Sequence, residues 1–475
     1  MNTPVGGTTP AGFVKTSAAA LSALLVVVLW TTAAMAAPTD AVQRWEHESG
    51  ATLYLVEKHD LPYVTVSVAL RTGALWDPEG KPGLTRMTAS LMSRGAGGLD
   101  RKQIDAQLDR LGADLEIDTT QTTVSMDLDG LSRNIDDVVK ILGDVLQRPD
   151  FKADELVRLK REMESEVLRV RDNDRSLNRR FFWQYLYGAH PYGRPSSGTL
   201  AGIKAIKLAD IKAFYKTHFV ASNVILGFSG DVTREQAEAM ATKMLGQLPK
   251  GQPPTIELPG VPTPRGRQVL LVDKPDRTQN QILIGHMGPK ANAEDLYALE
   301  VANTLFGGTF TARLNQEVRD KRGLSYGAYS HLYPDRFTGS FSMWTFPAAA
   351  DGVKTVSLLM SLYEEFATTP LTQEQVEFSK RYLINSFAFR IDTPSKLLTE
   401  SIRAEVEGRP LDYLATYTQR IKAVTTEQTN AAIKAHMDPD NFLLVMLCTA
   451  AGFEEPMKAQ PKVTTVRVVP YNKPF

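Results

Sequence analysis

The sequence predicts an α+β fold of two homologous α/β-sandwich domains that arose by internal duplication. Lys160–Arg161 and Lys380–Arg381 lie in similar helical segments, and the second pair comes 220 positions after the first. Near the end of each half an apolar strand follows an asparagine, in ASNVILGFSG at Asn223 and in PDNFLLVMLCT at Asn441. One long period that occurs twice indicates duplicated domains and not a solenoid of short repeats.

The order of elements is the same in both halves. Each half begins with two alternating strands joined by a polar turn, and continues with a helix, further strands, two long helices and a final strand. In the first half the two long helices are predicted at 135–146 and 153–171, where apolar residues recur at helical spacing. Strands mixed with helix pairs, without strict alternation, favour the α+β class.

A proline-rich stretch separates the two halves. Residues 248–267 contain six prolines, a composition typical of an extended and semi-rigid linker. We therefore predict an N-terminal domain over residues 37–247 and a C-terminal domain over residues 268–475.

The first 36 residues are predicted to be a signal peptide outside the fold. Lys15 precedes an apolar run over residues 18–30 and the small-x-small motif of residues 34–36, which are the three parts of a secretory signal. The run is short for a membrane span. We therefore expect cleavage after Ala36, no stable membrane insertion afterwards and a periplasmic or secreted protein. An uncleaved membrane anchor is the alternative.

Composition and charge narrow the classes of function. The chain is 43% hydrophobic and 23% charged, which is typical of a globular protein. Its 54 basic and 54 acidic residues balance, so nucleic acid is not an expected partner, because its binding requires a basic surface. The single cysteine, Cys448, lies in the apolar run 442–448 and is predicted to be a buried core residue.

Four groups of residues, in a fixed order along the chain, carry a family resemblance. They are GAxxDPxGxxGLT at 73–85, HPYGRP at 190–195 with Gly198–Thr199, the turn 306–308 with Arg313–Leu314, and VRDKRGLSY at 318–326. As an ordered set they resemble the pitrilysin/insulinase family of zinc peptidases, in particular its bacterial processing-peptidase-like branch. The resemblance covers nearly all of the predicted mature chain. It implies that the two domains form half of a clamshell-like peptidase.

The zinc motif of that family is degenerate in this chain. The family carries HxxEH directly after the GL of the first stretch, with a further glutamate ligand on a later helix. Mapped onto this sequence, the two histidines fall on Arg86 and Ser90, the glutamate base on Ala89 and the later ligand on Glu166. Hydrolytic zinc needs three protein ligands and an open position for water. Arginine stays protonated and has no lone pair to offer, so no metal is expected in this chain.

Two interpretations of Glu166 remain open. It is an ordinary ion-pair residue on a helix surface, or it pairs with Arg86 so that a cation replaces the metal, charge for charge. Among the seven histidines no two are three to five positions apart, so no local pair of ligands substitutes for the missing motif.

The second functional signature of the family is intact. Family members bind substrate beside the zinc with an arginine and a tyrosine seven residues apart, and Arg319 and Tyr326 have this spacing. The resemblance implies that Arg319 binds substrate carbonyls and that Tyr326 donates to the oxyanion, a contribution of about 10²–10³ in rate. A solvated arginine and a packed tyrosine are the structural alternative. The neighbouring Gly307–Gly308 turn is either a close approach to a bound peptide or a helix C-cap.

The zinc motif is lost, whereas the Arg319/Tyr326 pair is kept. This combination predicts a non-catalytic subunit. Some members of the family are heterodimers in which one chain holds zinc and the other carries the Arg/Tyr pair. We expect this chain to be the substrate-binding subunit of a heterodimeric zinc metalloendopeptidase that degrades or processes peptides or unfolded proteins. Its partner is expected to be a homologous HxxEH-containing chain, and the peptide is expected to add a strand to a sheet edge. The alternative is a peptide-binding or structural pseudo-enzyme with no role in catalysis.

Overall fold

The computed structural model describes residues 41–252 and 254–473. The predicted signal peptide and its cleavage site after Ala36 lie outside these residues. Within the described ranges, no helix combines the length and the apolar character that crossing a membrane requires.

The first half contains strands β1 to β8 and helices α1 to α8. The strands are β1 (Val42–Glu46), β2 (Thr52–Glu57), β3 (Tyr63–Leu70), β4 (Gly95–Ala96), β5 (Leu99–Asp100), β6 (Asp114–Thr119), β7 (Val124–Leu131) and β8 (Val224–Gly230). The helices are α1 (Leu84–Met92), α2 (Arg101–Leu111), α3 (Ile135–Gln147), α4 (Ala153–Arg169), α5 (Asp174–Tyr187), α6 (Leu200–Ala205), α7 (Leu208–His218) and α8 (Arg234–Leu245).

The second half begins at Arg267, the last residue of the predicted linker. Its strands are β9 (Arg267–Asp273), β10 (Gln281–Gly288), β11 (Ala328–Pro334), β12 (Gly339–Thr345), β13 (Phe442–Cys448) and β14 (Val463–Pro470). Its helices are α9 (Leu296–Phe306), α10 (Arg313–Asn315), α11 (Gly352–Thr368), α12 (Gln373–Phe387), α13 (Pro394–Val406), α14 (Tyr413–Ala423), α15 (Thr426–His436) and α16 (Glu454–Lys458). One turn of π-helix, Gln316–Asp320, follows α10 directly.

The two large sheets share one topology over five of their six strands. The first has the order β1-β2-β8-β3-β7-β6, and the second has the corresponding order β14-β9-β13-β10-β12-β11. In each sheet one inner pair is parallel, β2 with β8 and β9 with β13. From that pair toward β6 in the first sheet and toward β11 in the second, all pairs are antiparallel. Only the edge formed by β1 or β14 differs, because β1 runs antiparallel to β2 whereas β14 runs parallel to β9. The shared topology confirms the predicted fold of two duplicated α/β domains.

The repeated lysine makes the same contact in both halves. Lys160 on α4 donates a hydrogen bond to the carbonyl of Lys204 at 3.0 Å, and Lys380 on α12 donates one to the carbonyl of Val424 at 2.9 Å. In both cases the acceptor lies 44 residues after the lysine. The sequence repeat therefore reflects a contact that survived the duplication.

The two halves exchange a helix with each other. On one face of the second sheet lies α5 of the first half, where Phe181 and Phe182 are buried among apolar residues such as Val445. On one face of the first sheet lies α13 of the second half, where Leu398 and Ile402 are buried. Each sheet therefore has one face that is covered by a helix of the other half. Each fully buried side chain of this size contributes about 1.5–3 kcal/mol to stability.

Glycines in two central strands allow the exchanged helices to approach the sheets. A Cβ atom at Gly227 in β8 would lie 2.7 Å from side-chain carbons of both Leu398 and Ile402. A Cβ atom at Gly285 in β10 would lie 2.8 Å from the ring of Phe182. Because such distances are too short for carbon atoms, a side chain at either position would push the exchanged helix away.

Glu405 at the end of α13 joins the two halves electrostatically. Its carboxylate accepts hydrogen bonds from Arg44 at 2.8 Å, from the Tyr54 hydroxyl at 2.5 Å and from Arg71 at 2.5 Å, all from the first half. Burial alone raises the pKa of Glu405, but the hydrogen bonds outweigh it and lower the pKa to about 2. The carboxylate is therefore ionised in the folded protein at pH values where a free glutamate is protonated.

Replacing Glu405 by glutamine should lower the free energy of unfolding by about 2 kcal/mol at neutral pH, since three donors then face one amide. The pKa is depressed in the folded state, so the stabilisation is present above the ordinary value of 4.5. It is lost as the pH falls toward 2, and the wild-type advantage should shrink over that range. Urea unfolding followed by circular dichroism checks this, with Glu257→Gln at an exposed position as the control. Equal stability of Glu405→Gln and wild type would show that the cluster does not hold the halves together.

Candidate functional site

The GAxxDPxGxxGLT stretch before α1 builds the start of that helix. The Asp77 carboxylate accepts hydrogen bonds from the backbone N–H groups of Gly83 at 2.6 Å and Thr85 at 2.8 Å, and from the Thr85 hydroxyl. These bonds satisfy donors at the helix N-terminus that have no partner inside the helix. Burial raises the pKa of Asp77 to about 6, although the hydrogen bonds act in the opposite direction. The stretch thus fixes α1, the helix onto which the zinc motif maps.

The HPYGRP segment supports the same helix start from outside. Arg194 donates a hydrogen bond to the Asp77 carbonyl at 2.9 Å, and Gln121 donates one to the carbonyl of Arg194 at 2.8 Å. The Nδ1 atom of His190 accepts from the backbone of Tyr192, and its Nε2 atom lies 3.1 Å from the carbonyl of Pro259. Both imidazole nitrogens are therefore engaged in holding loops.

Arg86 and Glu166 form the ion pair that the sequence suggested. The Nη1 atom of Arg86 on α1 donates to Oε1 of Glu166 on α4 at 2.8 Å. The side chains are 30% and 42% exposed, so solvent screens the pair and its contribution to stability is modest. This is the contact that the charge-for-charge interpretation of Glu166 requires.

The residues around this pair do not fit zinc. Arg86 is a cation that already occupies Glu166, and Ala89 is fully buried with no group to act as a base. Ser90, one turn beyond Arg86, offers a single hydroxyl, a poor zinc ligand beside imidazole or carboxylate. Among the described residues, no three side chains of histidine, cysteine, aspartate or glutamate are grouped so that they could hold a metal ion. The side chains at the mapped positions therefore do not reproduce the hydrolytic site.

A second pair continues the link between the same two helices. Arg94, just after α1, binds Glu162 of α4 through its two terminal nitrogens, Nη1 at 3.1 Å and Nη2 at 2.5 Å. Glu162 lies one turn before Glu166, so α1 and α4 are joined by two neighbouring Arg–Glu pairs. Arg180 of α5 also interacts electrostatically with Glu166.

Arg319 lies in the turn of π-helix that follows α10. Its guanidinium carbon stands 4.3 Å from the centre of the Phe310 ring, a cation–π contact. Its Nε atom is 4.0 Å from Asp320, at the outer limit of an ion pair, whereas Lys321 and Arg322 both bind Glu317. Single turns of π-helix occur often at functional sites, and this one leaves Arg319 oriented by an aromatic ring.

Tyr326 is not packed in a strand. It precedes β11, and the residue is 83% exposed, with no hydrogen bond from its hydroxyl to any part of the chain that the structure describes. Phe310 is also exposed, at 58%. We call Phe310, Arg319 and Tyr326 the Arg/Tyr surface: the Arg319 guanidinium contacts the Phe310 ring, and exposed Tyr326 follows Arg319 by seven residues.

Two features that the sequence did not single out hold the Arg/Tyr surface in place. Buried Asn315 donates to the carbonyl of Phe310 at 2.9 Å and accepts from the backbone N–H of Ala328 at 2.9 Å. Gly307 ends α9, and a Cβ atom there would lie 2.5 Å from the backbone nitrogen of Ser330. Close packing against Ser330 therefore requires a glycine at this turn, and the helix C-cap interpretation accounts for Gly307.

The structure does not join the two predicted half-sites. In the described residues no hydrogen bond or ion pair connects Arg86 or Glu166 with Arg319 or Tyr326. The first pair satisfies its own charges, while the Arg/Tyr surface offers its donors to solvent.

Family models match most of the chain. Residues 53–200 match Insulinase (Peptidase family M16), and residues 205–383 match Peptidase M16 inactive domain. The non-peptidase homolog YmxG of Helicobacter pylori is 24% identical over 383 residues, which cover 80% of this chain and 88% of that protein. A protein named as an uncharacterized zinc protease of Mycobacterium leprae is 24% identical over 328 residues, which cover 68% and 73%.

A solved structure extends the match to three dimensions. The peptidase M16 inactive domain from Pseudomonas fluorescens superposes with a TM-score of 0.79 at 28% sequence identity, covering 86% of this chain and 97% of that chain. The resemblance inferred from the ordered motifs is thus confirmed by sequence models and by fold.

Installing histidines at both mapped positions should create a zinc site. In the double variant Arg86→His, Ser90→His the two imidazoles lie one turn apart on α1, opposite Glu166. Together with the Glu166 carboxylate they supply three ligands. We expect one zinc ion per chain by metal analysis and calorimetry, and none in the wild type. Arg86→His alone, with a single imidazole, is the control and should bind far more weakly. A folded double variant that takes up no zinc would show that the ligand positions were mapped incorrectly.

Proposed function

The chain belongs to the insulinase family of peptidases, M16, and on this premise we propose that it is a non-catalytic, substrate-binding subunit of a heterodimeric zinc metalloendopeptidase. Its role in that pair is to bring Arg319 and Tyr326 to a zinc site held by a homologous HxxEH-containing chain. The relatives support this reading in part, because one is named a non-peptidase homolog and another a zinc protease.

The observation that carries the proposal is the different state of the two half-sites. Arg86 and Glu166 neutralise each other, so this half-site has no vacant ligand. Tyr326 is 83% exposed, although a tyrosine usually buries most of its ring and bonds its hydroxyl. An exposed tyrosine that follows an aromatic-oriented arginine by seven residues is expected where a second molecule completes the surface.

The chemistry assigned to this chain is binding and charge stabilisation. Arg319 is fixed over Phe310 and presents its remaining guanidinium donors to the carbonyl oxygens of a peptide. The Tyr326 hydroxyl donates a hydrogen bond where negative charge develops on the attacked carbonyl.

The peptide is proposed to bind as an added strand. Strand β6 has β7 on one side and no strand on the other in the described sheet, so its outer N–H and C=O groups remain available. Its residues alternate between exposed and half-buried positions, as expected of an edge that can accept another strand. On the basis of the signal-like N-terminus, we propose that the pair acts in the periplasm or outside the cell.

The test is hydrolysis of an unfolded fluorogenic polypeptide by the chain alone, by a homologous HxxEH chain from the same genome, and by the mixture. We expect activity and bound zinc in the mixture and neither in this chain alone. In the mixture, Tyr326→Phe should lower kcat by about 10²–10³-fold through loss of the oxyanion donor. Arg319→Ala should lower kcat/KM, and size-exclusion chromatography should show that both variants still assemble.

The matched control is Tyr382→Phe, at another exposed tyrosine of the second half, which should leave turnover unchanged. Full activity of both Arg319→Ala and Tyr326→Phe would refute the shared site. Peptide binding without hydrolysis in any pairing would favour the alternative, a pseudo-enzyme that binds peptides or holds other proteins.

A further inference from the structure

A large cavity lies between the two halves of the chain. Its volume is about 1140 Å³, above the roughly 300–1,000 Å³ of ordinary small-molecule sites. The exchanged helices α5 and α13 both contribute to its wall, together with the hairpin turn 120–123 and the end of β11. Because it is built from both halves and from rigid elements, it has the size and the fixed shape of a site for a short peptide.

The wall from the second half carries more guanidinium groups than carboxylates that pair with them. Arg390 binds Glu400 at 2.8 Å, and Arg409 binds Glu407 at 2.6 Å. Arg403 shares these same two carboxylates. Three cations thus share two anions, and the group has one positive charge in excess.

Two further carboxyl groups of the second half, Glu300 and Asp335, also line the cavity. Glu300 on α9 is half-buried, and its carboxylate oxygen accepts a hydrogen bond from Tyr417 at 2.9 Å. Burial raises the pKa of Glu300 and that of Asp335. The case for an anion therefore depends on the arginine donors of the wall.

Arg409 presents an unused donor at this wall. Its side chain is only 9% exposed, and its guanidinium carbon lies 4.4 Å from the centre of the Tyr413 ring. Its Nε atom is taken by Glu407, but its buried Nη1 atom has no hydrogen-bond partner among the described residues. Buried polar groups without partners are rare and costly, and an unpaired guanidinium donor beside a cavity is the arrangement that an oxygen acceptor of a ligand completes.

An aromatic corner lies on the same cavity. Trp183 of α5 and Tyr333 of β11 meet edge to face, with ring centres 5.4 Å apart. This contact joins the two halves and offers an apolar surface for a side chain next to a bound charged group.

We propose that the interdomain cavity is a carboxylate-binding subsite for peptides, in which Arg409 binds the carboxylate and Arg390 adds charge. The carboxylate belongs either to the C-terminus of a peptide or to an aspartate or glutamate side chain. The subsite is a property of this chain alone, so it goes beyond the proposed complementation of a zinc-bearing partner.

The test measures binding of three fluorescein-labelled forms of one short peptide to the purified chain by fluorescence anisotropy, with no partner present. One form has a free C-terminal carboxylate and no acidic side chain, the second is its C-terminal amide, and the third is the amide with one internal glutamate. We expect at least one carboxylate form to bind about tenfold more tightly than the plain amide, as for a lost charge-assisted hydrogen bond. The form that binds tightly identifies the source of the carboxylate.

Arg409→Gln should reduce the carboxylate forms to the affinity of the amide, and Arg409→Lys should retain part of the preference because it keeps the charge. The matched control is Arg420→Gln, which removes a guanidinium paired with Asp412 outside the cavity wall and should leave the preference intact. Equal affinity of the three peptides for the unsubstituted chain would overturn the proposal, even if an Arg409 variant failed to fold. So would a folded Arg409→Gln protein that kept the preference. Neither result depends on hydrolysis or on a partner, so failure here and failure of the proposed function are distinguishable.

Discussion

The exchange of α5 and α13 between the halves is the constraint on which the rest of the structure depends. Each central sheet has helices of its own half on one face and a helix of the other half on the second face. The exchanged helices reach the sheets because Gly227 and Gly285 leave room for them. They also wall the interdomain cavity, so the shape of the cavity follows from core packing and not from loops.

An Arg–Glu pair and a zinc ion link two helices in physically different ways. Zinc requires deprotonated ligands, and its binding depends on pH and on metal supply. Arginine carries its charge without a metal, so the link that Arg86 makes between α1 and α4 does not depend on metal supply. The second pair, Arg94 with Glu162, repeats the same chemistry beside it. The contact between α1 and α4 is thus held by paired side-chain charges.

Sequence patterns predicted those features that depend on local periodicity or on motif order. The duplication followed from the repeated Lys–Arg and strand segments, and the motif alignment left the pairing of Arg86 with Glu166 as one of two interpretations. The exchange of α5 and α13 was not predictable, since an apolar helix face shows that a surface is buried but not which sheet buries it. Arg409 was missed for a similar reason, because its unused donor arises from the packing of residues distant in sequence. Phe310 and Asn315 carried no motif signal, and only their contacts with Arg319 and β11 show their role.

Helix exchange also indicates how such a chain could arise. Two copies that each lay a helix on the other's sheet are related as partners in a domain-swapped homodimer, and such exchange is a low-cost route to symmetric pairs. Fusion of two genes through a proline-rich connection turns that symmetric pair into one asymmetric polypeptide. From then on a mutation alters one copy only, so the two halves diverge independently. Symmetry breaking by gene fusion is therefore what permits a division of labour within one fold.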